Sequence, residues 1–220
     1  MSARVQVFLL SPAYCGGRRA TMLLRPGAVM ELAARLRSGT LTLGEAFTFL
    51  SGLYFRGKIT YAQAFGRASA ADSPATLVIT PTRGLLAPET LVTADLLREF
   101  AAVDVAADDD RYRVPLERDL RSLSRRLPAD ARVVLLGSIA SDKYVTLLIR
   151  ALGERLHYPP SFVGRGDMSR GGLLLRSARA ATELEYQILA LNSQRHGQRP
   201  PRLDPLPRTT TPRVRFERVL

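Results

Sequence analysis

Three short apolar runs rich in β-branched residues, at 5–10, 76–80 and 132–137, constrain this chain more than any other feature. Their length and continuity suit strands buried on both faces. Each is followed by a polar turn bearing glycine or proline, and then by helical periodicity. Helical patterns are read at 29–36, 43–54, 61–68, 91–105, 115–127 and 141–152. Phe55-Arg56-Gly57-Lys58 separates the second from the third, and Pro115 stands in a first-turn position of the fifth. Residues 173–175 and 185–191 are read as further strands at one edge. Strands alternating with helices imply an α/β fold with a mostly parallel central sheet covered on both faces. A single domain is expected over 1–192. From 193 the character changes: residues 194–220 hold seven arginines and five prolines with few apolar residues, so 193–220 is expected to be a flexible basic tail.

At 220 residues, 46% hydrophobic and 24% charged, the chain can bury one sizeable core. The formal net charge of +12 at pH 7 favours a polyanionic partner, nucleic acid before an anionic membrane surface. Lys58 and Lys143 are the only lysines, and an arginine bias of this kind also arises from a GC-rich coding sequence. The single cysteine, Cys15, excludes an internal disulfide, and with only His157 and His196 beside it no metal site is expected. No cofactor is called for. The apolar run at 5–10 is far too short to cross a membrane, so a cytoplasmic, membrane-free protein is expected.

Arg165-Gly166-Asp167-Met168-Ser169-Arg170-Gly171-Gly172 sets two arginines and a serine among glycines, just ahead of an apolar run. Glycine lets backbone amides turn toward a ligand, and arginine offers a planar fork for phosphate or carboxylate. An anion site is one reading; a tight turn leading into a strand, with solvated arginines, is the other.

In an open α/β sheet, ligands bind outside the carboxyl ends of the strands, so residues just after each strand should meet. After the first strand these are Ser11, Cys15, Gly16, Gly17, Arg18 and Arg19. After the second come Thr80, Thr82, Arg83 and Gly84, and after the third Ser138, Ser141, Asp142, Lys143 and Tyr144. Arg165, Ser169 and Arg170 would complete an arginine-rich phosphate-binding cleft. Ser138 or Ser141 with Asp142 is equally a helix-start signature, and Cys15 equally a small buried residue. The chain has no phosphate-loop, dinucleotide or H-E-x-x-H motif. A serine–histidine–acid triad would depend on His157, which precedes Tyr158-Pro159-Pro160 and reads as a loop residue.

Four segments in order, Leu10-Ser11-Pro12-Ala13, Arg83-Gly84-Leu85-Leu86, Ala140-Ser141-Asp142-Lys143-Tyr144 and Arg165-Gly166-Asp167-Met168-Ser169-Arg170, resemble signature segments of the YaaA peroxide-stress family. That family shows S-P-A-K-T, G-L-Y-G-x-L-x-P, A-S-D-E-Y and A-R-G-x-M-S-R. Tyr14 stands where the family has lysine, and Lys143 where it has glutamate. The segment 50–68, with Gly52 and Gly57, is the one candidate for the family's helix-hairpin-helix. The resemblance implies a distant relative with a positively charged cleft that binds DNA and serves in protection from oxidative damage; DNA is expected ahead of RNA, with both RNA and a nucleotide-like ligand left as alternatives. In that reading Ser11, Arg18, Arg19, Arg83, Ser141, Tyr144, Arg165, Ser169 and Arg170 contact nucleic acid. The rival is an enzyme acting on a nucleobase or nucleotide, of N-glycosylase or base-transferase type, with Asp142 and Lys143 as catalytic groups in the same pocket.

Overall fold

The computed structural model describes residues 4–68, 74–201 and 203. Strand β1 (Gln6–Leu10) leads into four helices, α1 (Arg18–Leu24), α2 (Glu31–Arg37), α3 (Leu43–Ser51) and α4 (Leu53–Phe65). Strands β2 (Thr76–Thr80) and β3 (Gly84–Leu86) precede α5 (Ala94–Ala101) and α6 (Asp110–Arg126). The chain then runs through β4 (Arg132–Leu136), α7 (Asp142–Leu152), β5 (Leu156–Tyr158), α8 (Asp167–Arg179) and β6 (Gln187–Ile188).

One α/β domain results, with sheet order β3-β2-β1-β4-β5-β6. The four inner strands are parallel, and β3 and β6 are antiparallel edges. Successive strand side chains point to opposite faces, and the core divides accordingly. Phe8, Leu10, Val78, Val134 and Leu136 pack with α1 to α5 and α8. Val7, Leu9, Ile79, Val133 and Leu135 pack with α6 and α7. The chain leaves β1 toward β2 on one side and later returns to β4 on the other, so the order reverses between β1 and β4. That is where an open parallel sheet leaves a crevice.

Several expected boundaries move. The break between α3 and α4 falls at Gly52, whose φ of +64° only glycine adopts readily, and 55–58 lies inside α4. Pro115 is inside α6, which starts earlier with Asp109 accepting from the Arg111 amide. Residues 173–175 are helical, within α8: Arg170, Gly171, Leu174 and Ser177 are its buried positions, at helical rather than strand period. Of 185–191, only Gln187–Ile188 forms a strand. His157 is on β5 and buried, not in a loop.

The glycine at 171 serves packing. A methyl group on Gly171 would lie 2.7 Å from the Leu53 carbonyl oxygen of α4, so Gly171 permits close helix contact instead of forming a ligand turn. Residues 193–201, expected to open the flexible tail, run beside the loop ahead of α8: Gln198 lies against Gly164 and Gly197 against Val163. The rest of the expected tail, 202 and 204–220 apart from 203, lies outside the described residues.

Candidate functional site

A cavity of about 690 Å³ opens at the carboxyl ends of β1 and β4. The loop 11–17 and the start of α1 supply Ser11, Tyr14, Cys15, Arg18 and Arg19; the loop after β4 and the first turn of α7 supply Ser138, Ser141, Lys143 and Tyr144. Tyr54 of α4, Phe100 of α5, Asp104 and Asp167 complete the wall. Thus Ser11, Arg18, Arg19, Ser141, Lys143 and Tyr144, drawn from two strand ends, come together as the switch-point rule requires.

Beneath this cavity lies Lys58, with no exposed surface. Its Nζ donates to the Ser11 carbonyl oxygen at 2.6 Å and to the Ser11 hydroxyl at 2.9 Å. It sits 4.5 Å from the Tyr54 ring centre and 4.7 Å from that of Phe55. Burial pulls the Lys58 ammonium down to about 7, with Asp167 opposing and the Arg170 charge adding to the effect. Tyr144 donates to the Ser138 carbonyl at 2.8 Å, and burial pushes its phenol up to about 12. Tyr54 is 5% exposed, and its buried hydroxyl lies beside the Arg170 guanidinium without a well-formed hydrogen bond among the described residues. Cys15 is equally buried, its thiol pushed up to about 12, which leaves it a packing residue and a poor nucleophile.

Gly137 makes the close approach of β4 to this centre possible. A methyl there would lie 2.8 Å from Tyr144 Oη and 2.9 Å from Ser11 Cβ.

The other residues singled out from sequence lie elsewhere or behind the wall. Arg83 follows β2 at the same sheet end but pairs with Glu99 at 2.6 Å, over a separate hollow. Asp142 begins α7, yet its exposed side chain turns outward to Arg195, which holds its carboxyl below the usual range with help from Thr146. Arg165 is bound to the Ser161 carbonyl and the Ser169 hydroxyl, closing its own loop. Arg170 is buried, donating to the Phe162 carbonyl and reaching Asp167 at 3.4 Å. Ser141 is the N-cap of α7 without a side-chain capping bond, and Ser138 accepts from the Ala140 amide at 3.4 Å.

Lys58, Tyr54, Asp104 and Asp167 belong to the site without having been singled out for it. A signal for Lys58 existed: positions 54, 55, 58, 61, 62 and 65 form one helical stripe, apolar or aromatic except at 58.

A second hollow, of about 710 Å³, lies among α2, α3 and α4; of its three charged residues Arg35 and Glu45 pair with each other, and the third is the acidic Glu89, so it offers no grouping of cations. Among the described residues no group of three or more histidine, cysteine, aspartate or glutamate side chains is arranged to hold a metal, and no helix is long and apolar enough to cross a membrane. No protein-family model matches the chain, and neither a curated protein nor a solved structure matches it.

Proposed function

We propose that the protein is an enzyme acting on a small anion of nucleotide size, bound at the β1/β4 switch point. The observation that carries this reading is the grouping itself: a buried lysine bonded to Ser11 at the cavity floor, beneath Arg18, Arg19 and Lys143 on the wall. Of the two carboxylates in the wall, Asp167 is engaged by Arg170 and Asp104 stands against the three cations Arg18, Arg19 and Lys143, so the wall favours negative charge. The volume suits a small ligand, for which sites run about 300–1,000 Å³. Tyr14, 74% exposed, offers aromatic surface for a base.

The YaaA resemblance supports the same grouping, because three of its four segments contribute side chains to the cavity: Ser11, Lys143 with Tyr144, and Asp167. A part in protection from oxidative damage rests on that resemblance alone. Binding of DNA is the second reading, favoured by the net charge of +12. Against an arginine-lined duplex groove stands the commitment of Arg83, Arg165 and Arg170 to partners of their own.

Calorimetric titration with nucleoside mono- and diphosphates, beside a duplex oligonucleotide at the same salt, tests the two. Nucleotide binding that weakens on Arg18→Ala is expected. Duplex binding without nucleotide binding, falling with salt by about 0.7–0.9 log units per log unit for each phosphate contact, would reverse the conclusion.

A further inference from the structure

We propose that Ser11 is a nucleophile and Lys58 its general base, forming a dyad that transfers an acyl group from an anionic ester, thioester or amide. The class of substrate rests on the small-anion reading above; the dyad itself stands on geometry.

Ser11 is held on three sides. Its amide donates to the Leu136 carbonyl of β4 at 3.2 Å, Lys58 Nζ binds its carbonyl, and Gly137 leaves the room its Cβ occupies. The residue is 7% exposed, and what is exposed faces the cavity. Lys58 Nζ, 2.9 Å from Oγ, is within proton-transfer reach and walled from water. The groups facing Lys58 are Ser11, just past β1, Tyr54 from its own helix, and Asp167 and Arg170 from α8, while Tyr144 of α7 reaches Ser11 rather than the lysine. With its ammonium at about 7, a substantial fraction is neutral at physiological pH, and the free lone pair then accepts from Ser11 Oγ–H.

A purely anchoring lysine needs only the Ser11 carbonyl. Anchoring gives no reason for a second bond to a hydroxyl of a cavity-lining residue; a reaction at that point does.

In the first step Lys58 takes the Ser11 proton, Oγ bonds to the carbonyl carbon, and the bond to the leaving group breaks as that group takes the proton back from Lys58. The acyl ester on Ser11 is then cleaved by water, which gives one proton to Lys58 as its oxygen bonds to carbon. Ser11 leaves and recovers that proton. Ester, thioester or amide plus water thus yields acid plus alcohol, thiol or amine, with no redox change.

The test uses the full chain and a fluorophosphonate, which forms a P–O bond to an activated serine and releases fluoride. Mass spectrometry is expected to place one phosphonyl group on Ser11, at a rate that rises with pH and levels off above about 7. Ser11→Ala abolishes it. Lys58→Met and Lys58→Arg each slow it by about 10²-fold or more; circular dichroism establishes that the variants fold, and the wild-type pH profile serves if Lys58→Met does not. No label on Ser11, or a Lys58→Arg protein labelled at the wild-type rate, overturns the dyad. Nucleotide binding by calorimetry without labelling does the same while leaving the small-anion reading intact. Labelling that a bound nucleotide does not slow supports the dyad and removes the nucleotide as its ligand.

Discussion

Gly57 and Gly171 face each other across the contact of α4 with α8: a methyl on Gly57 would lie 2.7 Å from the Gly171 carbonyl oxygen. Backbone cannot yield as a side-chain tip can. Gly171→Ala is therefore expected to destabilise the fold by about 1–3 kcal/mol, although alanine is the better helix former. Urea denaturation checks this through a lower midpoint at unchanged slope. Because α4 carries Lys58, the same change should also displace the lysine from Ser11.

Lys58 makes stability depend on pH in a direction that can be worked out. Its folded value is depressed to about 7, against about 10.4 in an unfolded chain. Between those values the unfolded chain holds a proton that the folded one lacks, so stability rises with pH, by up to about 1.4 kcal/mol per unit. Below 7 the cost of the buried charge is fully present. Replacing Lys58 with Met removes that dependence: its stability relative to the wild type is greatest at pH 6 and declines toward pH 10. Thermal unfolding across that range reads the trend, and a difference independent of pH would refute it.

Tyr54 separates packing from contact with a ligand. Its hydroxyl is buried beside the Arg170 guanidinium and has no surface open to the cavity. Tyr54→Phe is expected to change stability by less than about 1 kcal/mol and to leave nucleotide binding intact, as read by urea denaturation and calorimetry. A loss of binding would show that the hydroxyl turns into the cavity.

The arginines separate by location. Arg18→Ala should weaken nucleotide binding by about tenfold or more, the loss of one charge-assisted contact. Arg83→Ala should leave it nearly unchanged, since that side chain pairs with Glu99. Arg170→Lys should lower stability by about 1–2 kcal/mol, because the buried guanidinium holds the Phe162 carbonyl. Calorimetry and urea denaturation on the three proteins give the comparison.

Three of the four inner strands were legible because apolar continuity over five residues has few other solutions, whereas the three-residue β5, which carries His157, is too short to show that continuity; the switch-point rule then brought Ser11, Lys143 and Tyr144 together without coordinates. Arg83 follows the right strand end, but a residue's place after a strand says nothing of the acid waiting on another helix; Glu99 decided that. Gly171 was ambiguous for a related reason: glycine serves a ligand turn and a close helix contact equally, and only the position of Leu53 distinguishes them. Lys58 was hidden by one misplaced helix break. Once Gly52 ends α3, residue 58 falls at the centre of a buried stripe.

The two edge strands have a consequence for assembly. β3 and β6 span three and two residues and run against the direction of the four strands between them. An exposed, long parallel edge is a template on which another chain can polymerise; short, reversed borders present too few free amides and carbonyls to seed such growth. Association of two molecules would then have to use helices or loops, leaving the sheet itself a closed unit.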